Sequence, residues 1–355
     1  MCSSTSWPRG GSPGILHHYT PTLTAFEFTH ASTPQPHSLI FIGGLSDGLA
    51  TTPYLSNLAA ALEPTAWSLF TLTLTSSYTA WGLGHLDRDT DEIARCVQYV
   101  QDYKATKFGA GSRKVVLMGH STGSQCVLHY LFRPNPHTSV CSFDPELQHV
   151  QRPAVNGVVL QAPVSDREAI LSILEDGLGE KPSSVIRAAY EEGLSIAKAA
   201  DPKDTSPYDT LLPLHLTAQI GYPPNTPISC RRFLSLASPE SPGAPREDDL
   251  FSSDLSDAQL ARTFGTVRQR GLLAGRMVVL YSGADQSVPG WVDKEKLLLR
   301  WMDAMERDGQ GETWDREGSA VIPGASHALS DEDQAGPRAE LVRRVARFLQ
   351  VTERS

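Results

Sequence analysis

The stretch that decides the fold is Lys114-Val115-Val116-Leu117-Met118-Gly119-His120-Ser121-Thr122-Gly123-Ser124-Gln125. A short apolar, β-branched run ends at Gly119-His120-Ser121-Thr122-Gly123, and Val127, Leu128, Tyr130 and Leu131 follow at helical spacing. The pattern predicts a buried strand, a sharp turn and a helix, with a serine at the apex of the turn. A residue on so tight a turn takes a strained backbone conformation, and its neighbours must be small because strand and helix approach closely; Gly119 and Gly123 meet that need. In a chain with 28 glycines the pentapeptide alone can arise by chance. The strand before it and the helix behind it give it meaning. The turn lifts the Ser121 hydroxyl clear of the sheet, and the helix start aims the Thr122 N–H at the place where a tetrahedral oxyanion would form.

Upstream, Ser38-Leu39-Ile40-Phe41-Ile42-Gly43-Gly44-Leu45 is a continuous apolar run ending in paired glycines, as expected of a strand buried on both faces. The loop 43–47 is the expected second half of an oxyanion hole, with the Leu45 N–H as donor and Gly44 letting backbone approach substrate. Before it, 15–19 and 23–28 read as a half-exposed edge pair; after it come a helix over 53–62 and a strand over 67–74. The loop 76–84 carries Tyr78 and Trp81, which either line a pocket or cap the core, and an amphipathic helix spans 87–104.

Downstream, 134–152 is a polar loop and 155–162 another buried strand. From 163 to 275 no strand is evident: 166–175, 183–200 and 257–264 read as helices, and Pro, Ser and Asp punctuate 206–254. Residues 238–249 are expected to form a mobile surface loop. Arg231 and Arg232 are read either as contacts to an anionic or carbonyl-rich substrate or as ordinary solvated arginines. A connection this long between sheet strands is expected to be a helical cap. The sheet resumes at 276–282 and delivers Asp285 on the following turn; a helix over 290–305, a strand over 320–323, His327 just past it and a helix over 340–349 close the domain. The expected organisation is a disordered segment 1–13, a core over 14–162 and 276–350, a cap over 163–275 and a tail 351–355.

Serine at a turn, aspartate after a later strand and histidine after the last strand is the chain order of the α/β-hydrolase fold, a mostly parallel sheet flanked by helices. Serine is a weak nucleophile and needs a general base, assigned to His327; Asp285 is assigned to hold the imidazole tautomer. Asp166, which also follows a strand, is the rival acid. His120 is read as packing, and His85, His129, His137, His149 and His215 as structural. No H-E-x-x-H or other ligand cluster, no G-x-G-x-x-G and no P-loop is present, so neither metal nor cofactor is expected.

Composition sets the outer limits. The 355 residues, 40% hydrophobic with a formal charge of -9, suit one large globular domain with an insertion and argue against nucleic-acid binding. The five cysteines, Cys2, Cys96, Cys126, Cys141 and Cys230, have no C-x-x-C spacing and make a poor disulfide framework. The first residues lack an apolar signal-peptide core and no run approaches the ~20 residues of a membrane span, so a cytoplasmic location is expected.

Phe41-Ile42-Gly43-Gly44-Leu45-Ser46-Asp47-Gly48-Leu49, Ser76-Ser77-Tyr78 with Trp81-Gly82, the Ser121 turn and Gln161-Ala162-Pro163-Val164-Ser165-Asp166-Arg167-Glu168 together resemble a fungal α/β-hydrolase family. That family includes intracellular siderophore esterases acting on fusarinine-type siderophores, and the likeness spans about 15–350. The resemblance implies cleavage of ornithine–anhydromevalonyl esters in a ferric or desferri hydroxamate siderophore, releasing iron after uptake. An acyltransferase or thioesterase on the same triad, and a ligand-binding protein on the same fold, are the alternative readings. Oligomeric state stays open.

Overall fold

Leu39, Ile40, Phe41 and Ile42 are all buried, and they alternate between two apolar layers: Ile40 and Ile42 face one side of a sheet, Leu39 and Phe41 the other. Burying four such side chains contributes about 1.5–3 kcal/mol each. This makes their strand central. The computed structural model describes residues 11–29, 33–109, 111–138, 143–200, 210–307, 309 and 312–355. Residues 1–10 of the expected disordered segment, and Cys2 and Cys141, lie outside the described residues.

Eight strands form one sheet: β1 (Ile15–His18), β2 (Thr24–Phe28), β3 (His37–Ile42), β4 (Trp67–Leu72), β5 (Val115–His120), β6 (Val155–Gln161), β7 (Leu273–Ser282) and β8 (Ala320–Ile322). Their spatial order is β1-β2-β4-β3-β5-β6-β7-β8. The β1–β2 and β2–β4 pairings are antiparallel, so β2 alone runs against the rest; every pairing from β4 onward in that order is parallel. The helices are α1 (Leu55–Leu62), α2 (Leu86–Phe108), α3 (Thr122–Phe132), α4 (Asp166–Asp176), α5 (Ser183–Ala200), α6 (Leu214–Ile220), α7 (Cys230–Ala237), α8 (Asp257–Arg262), α9 (Val267–Arg270), α10 (Lys294–Met305) and α11 (Ala335–Arg354). One face of the sheet packs α2, α3 and α10, the other α1 and α11.

Between β6 and β7, α4 to α7 gather a third apolar cluster around Phe233, Ile186 and Leu216, with Trp81 and Leu45 packed against it. Two expectations need correction here. The punctuated stretch 206–254 contains α6 and α7, whose brevity hid their periodicity. Residues 238–249 are not a free surface loop: Ser238, Asp248 and Asp249 are buried, and the Arg232 guanidinium holds Asp248 at 2.6 Å. One acidic residue of this stretch, Asp248, is the partner of a buried cation. Residues 250–272, counted with the insertion by their lack of strands, pack on the sheet's own layer, where Phe251 and Phe264 meet Trp301.

Candidate active site

Ser121 sits at φ 54°, ψ -124°, the strained turn between β5 and α3. A Cβ at Gly119 would lie 2.3 Å from the Gly123 carbonyl oxygen, and one at Gly123 would lie 2.2 Å from that of Ile42. Only glycine fits at either place. The Ser121 N–H donates to the Gln161 carbonyl on β6 (3.0 Å), and Ser124 Oγ donates to the carbonyls of Gly119 (2.9 Å) and Gln161 (3.1 Å). These bonds pin the turn to the neighbouring strand.

The loops after β7 and β8 bring the other two residues to it. His327 Nε2 is 2.9 Å from Ser121 Oγ, and His327 Nδ1 is 2.8 Å from Asp285 Oδ2. Asp285 is buried, and its Oδ1 accepts the Ser287 N–H at 2.9 Å, which leaves Oδ2 for the imidazole. A carboxylate only accepts here, so Nδ1 carries the proton and Nε2 turns its lone pair to the serine. Two side chains with no signal in the sequence hold the histidine loop. Gln286 Oε1 accepts the His327 N–H at 3.0 Å, while Gln334 Oε1 accepts the Ser326 N–H at 2.8 Å and its Nε2 donates to the Gly324 carbonyl at 3.1 Å.

The loop 43–47 lies against the serine: a Cβ at Gly44 would come within 2.8 Å of Ser121 Cβ. Asp47 shapes it. Its Oδ2 accepts from the Gly44 N–H (2.9 Å) and Thr52 Oγ1 (3.0 Å), and its Oδ1 from Thr51 Oγ1 (2.9 Å). The Gly44 N–H is so engaged, while the Thr122 N–H, first in its helix, has no intrahelical acceptor. Tyr78 does not line the pocket. It is half-exposed, its ring covers Gly48, and its hydroxyl accepts the Leu49 N–H at 3.0 Å, so it braces the loop from outside.

Trp81 does line it. A pocket of about 30 Å³ touches Gly44, Leu45, Trp81, Asp89, Thr122 and Arg232, and so lies directly under α7. Arg232, weighed as a substrate contact or a solvated arginine, is fully buried there; both Asp248 oxygens accept from its Nη1, at 2.7 and 2.6 Å. Arg232 Nε and Trp81 Nε1 find no hydrogen-bond partner among the described residues. Arg231 stays further out, donating to the Gly84 carbonyl at 3.2 Å and stacking on Phe143.

Asp166 does not reach His327. Its Oδ2 accepts from Gln125 Nε2 at 2.9 Å, and burial pushes its carboxyl up to about 6. His120 points under the turn: its Nδ1 is 2.5 Å from Gln161 Oε1, which also accepts from the Tyr54 hydroxyl at 2.9 Å. Burial, reinforced by the charge of His327 with ring centroids 5.0 Å apart, brings His120 down to about 4. It is neutral near pH 7. Of the histidines read as structural, His85 meets Asp144 and His129 meets Asp87, each at 2.7 Å.

The chain is 61% identical over 348 residues to the protein named "Fusarinine C esterase sidJ" of Aspergillus fumigatus, covering 98% of each chain. It superposes with a TM-score of 0.88 and 58% identity on "Siderophore hydrolase EstB from Aspergillus fumigatus", over 98% of this chain and 100% of that one. A soluble variant of monoglyceride lipase from Saccharomyces cerevisiae matches with a TM-score of 0.55 at 11% identity over 99% of each chain, a likeness of fold alone. The architecture is the α/β-hydrolase fold. A family model described as "Protein of unknown function (DUF1749)" matches residues 4–350, and the chain belongs to that family.

Proposed function

We propose that this protein is a serine esterase that hydrolyses ester bonds of a fusarinine-type hydroxamate siderophore through an acyl-enzyme, serving iron release in the cytoplasm. The observation that carries the chemistry is the continuous contact Ser121 Oγ, His327 Nε2, His327 Nδ1, Asp285 Oδ2 at 2.9 and 2.8 Å. The substrate class rests on the relative named as a fusarinine C esterase, 61% identical over 98% of both chains. Among the described residues no helix is long and apolar enough to cross a membrane.

In this reading Ser121 Oγ attacks the ester carbonyl while His327 Nε2 takes its proton. The carbonyl oxygen becomes an oxyanion received by the N–H groups of Thr122 and Leu45, with Gly44 leaving room for it. His327 returns the proton to the departing alcohol, and a water, deprotonated by the same nitrogen, then frees the acid. Asp285 holds the tautomer and steadies the imidazolium. The α4 to α7 insertion acts as the cap, and Trp81 and Arg232 form the wall of the pocket next to the oxyanion position.

The test is mass-spectrometric analysis of fusarinine C, ferric and iron-free, incubated with the protein and with Ser121→Ala. Linear and monomeric fusarinine appearing only with the unmodified serine is the expected result. No cleavage by a protein whose Ser121 still reacts with a fluorophosphonate would keep the esterase and remove the siderophore.

A further inference from the structure

We propose that Asp87, His129 and Glu247 form a binding site for one divalent transition-metal ion of the zinc type, apart from the Ser121 centre. Asp87 lies in the first turn of α2, His129 in the last turn of α3, and Glu247 in the segment that follows α7. One donor atom from each lies within 4.8 Å of the other two. His129 Nε2 is 2.7 Å from Asp87 Oδ1 and 3.6 Å from Glu247 Oε1. Zinc with bonds of about 2.0–2.1 Å in a tetrahedral shell keeps its donors roughly 3.3 Å apart, so the Glu247 spacing already suits it and Asp87 needs to withdraw by about half an ångström.

Three features favour an ion over a plain hydrogen bond. First, His129 is buried and turns its Nε2 to two carboxylates at once. A proton on Nε2 satisfies one of them at 2.7 Å and leaves the other at 3.6 Å; a divalent ion satisfies both. Second, the far oxygen of Asp87 is already held, with Arg133 Nη2 at 3.4 Å and His137 Nδ1 at 3.8 Å, which presents Oδ1 alone as a single-oxygen ligand. Third, all three residues line a cavity of about 650 Å³, which gives water access to a fourth position. One imidazole with two carboxylates suits zinc better than magnesium or calcium, which favour shells made of oxygen.

The site joins two core helices to the segment whose next residue, Asp248, holds Arg232 in the wall of the small cavity beside the Ser121 turn. A bound ion therefore braces that wall against the core. Because the ligands come from positions 87, 129 and 247, no spacing motif announces them.

The experiment is a zinc titration of tag-free, chelator-stripped protein by calorimetry, with metal content after desalting and thermal unfolding measured in parallel. The expected result is one zinc per chain with micromolar or tighter affinity and a Tm raised by several degrees, and no such shift with magnesium. Glu247→Gln, a change at a partly exposed side chain, is expected to weaken zinc binding at least tenfold and abolish the Tm shift, and His129→Gln to do the same. If His129→Gln does not fold, Glu247→Gln decides alone. Zinc bound with unchanged affinity by Glu247→Gln, or not bound below millimolar concentrations, would overturn the proposal.

Discussion

At the scale of single residues, two aspartates that sequence alone left in competition are separated by what they touch. Asp285 meets the imidazole at 2.8 Å, whereas Asp166 is spent on Gln125. Asp285→Asn is therefore expected to lower kcat by about three to four orders of magnitude. Asp166→Asn should leave it within a few fold, and the reverse ranking in ester hydrolysis assays would sink the assignment. Asp166 has its own signature in stability. Its folded-state pKa, about 6, lies above the ordinary 3.8, so the native state holds the extra proton and loses stability as pH rises from about 4 to about 6. Asparagine cannot ionise. The Tm of Asp166→Asn relative to wild type is expected to climb across that window and stay level above it; a difference that does not change with pH would contradict the account.

At the scale of elements, the edge of the sheet depends on one buried charge. Lys104 of α2 donates to Glu27 on β2 (2.5 Å), to the Gln35 carbonyl (2.7 Å) and to Ser68 Oγ on β4 (2.8 Å), so its ammonium is fully satisfied. Burial alone would raise the Glu27 carboxyl, but His17 and Lys104 outweigh it and bring it down to about 2. Lys104→Met strands that carboxylate and should cost about 3–5 kcal/mol. Glu27 in the variant escapes by taking a proton, so the loss is expected to be smaller near pH 4.5 than at pH 8. Urea unfolding at the two pH values measures it, and Glu27→Gln in the same background should recover much of the loss. Nothing in the sequence separates Lys104 from the other cations of α2, because charge pairing across 77 positions has no local pattern. The strands were legible for the opposite reason. Runs such as 39–42 and 115–118 are apolar on both faces, and that pattern is local.

At the scale of the whole molecule, legibility followed the same division. Ser121, Asp285 and His327 each stand just past a strand on a turn, so the order of strands along the chain was enough to bring them together on paper. The insertion has no such frame. Its short helices and its tie to the core depend on Arg232 meeting Asp248, a pair that composition presents as a stray arginine and an acid in a Pro-rich loop. Asp248 is buried, accepts from Arg232 at 2.7 and 2.6 Å and from Ser235 Oγ at 2.5 Å, and so fastens 238–249 beneath α7. Asp248→Asn removes the charge that neutralises a fully buried guanidinium, at a cost of about 3–5 kcal/mol. The loss should be felt locally before it is felt globally, because α4 to α7 share few apolar contacts with the sheet layers and keep their own cluster. Limited trypsin digestion is then expected to cut the variant at Arg246 well below its unfolding temperature while wild type resists. Equal cleavage of the two would mean that the segment is free in the native protein after all, and that Arg232 is held in the pocket wall by something other than Asp248.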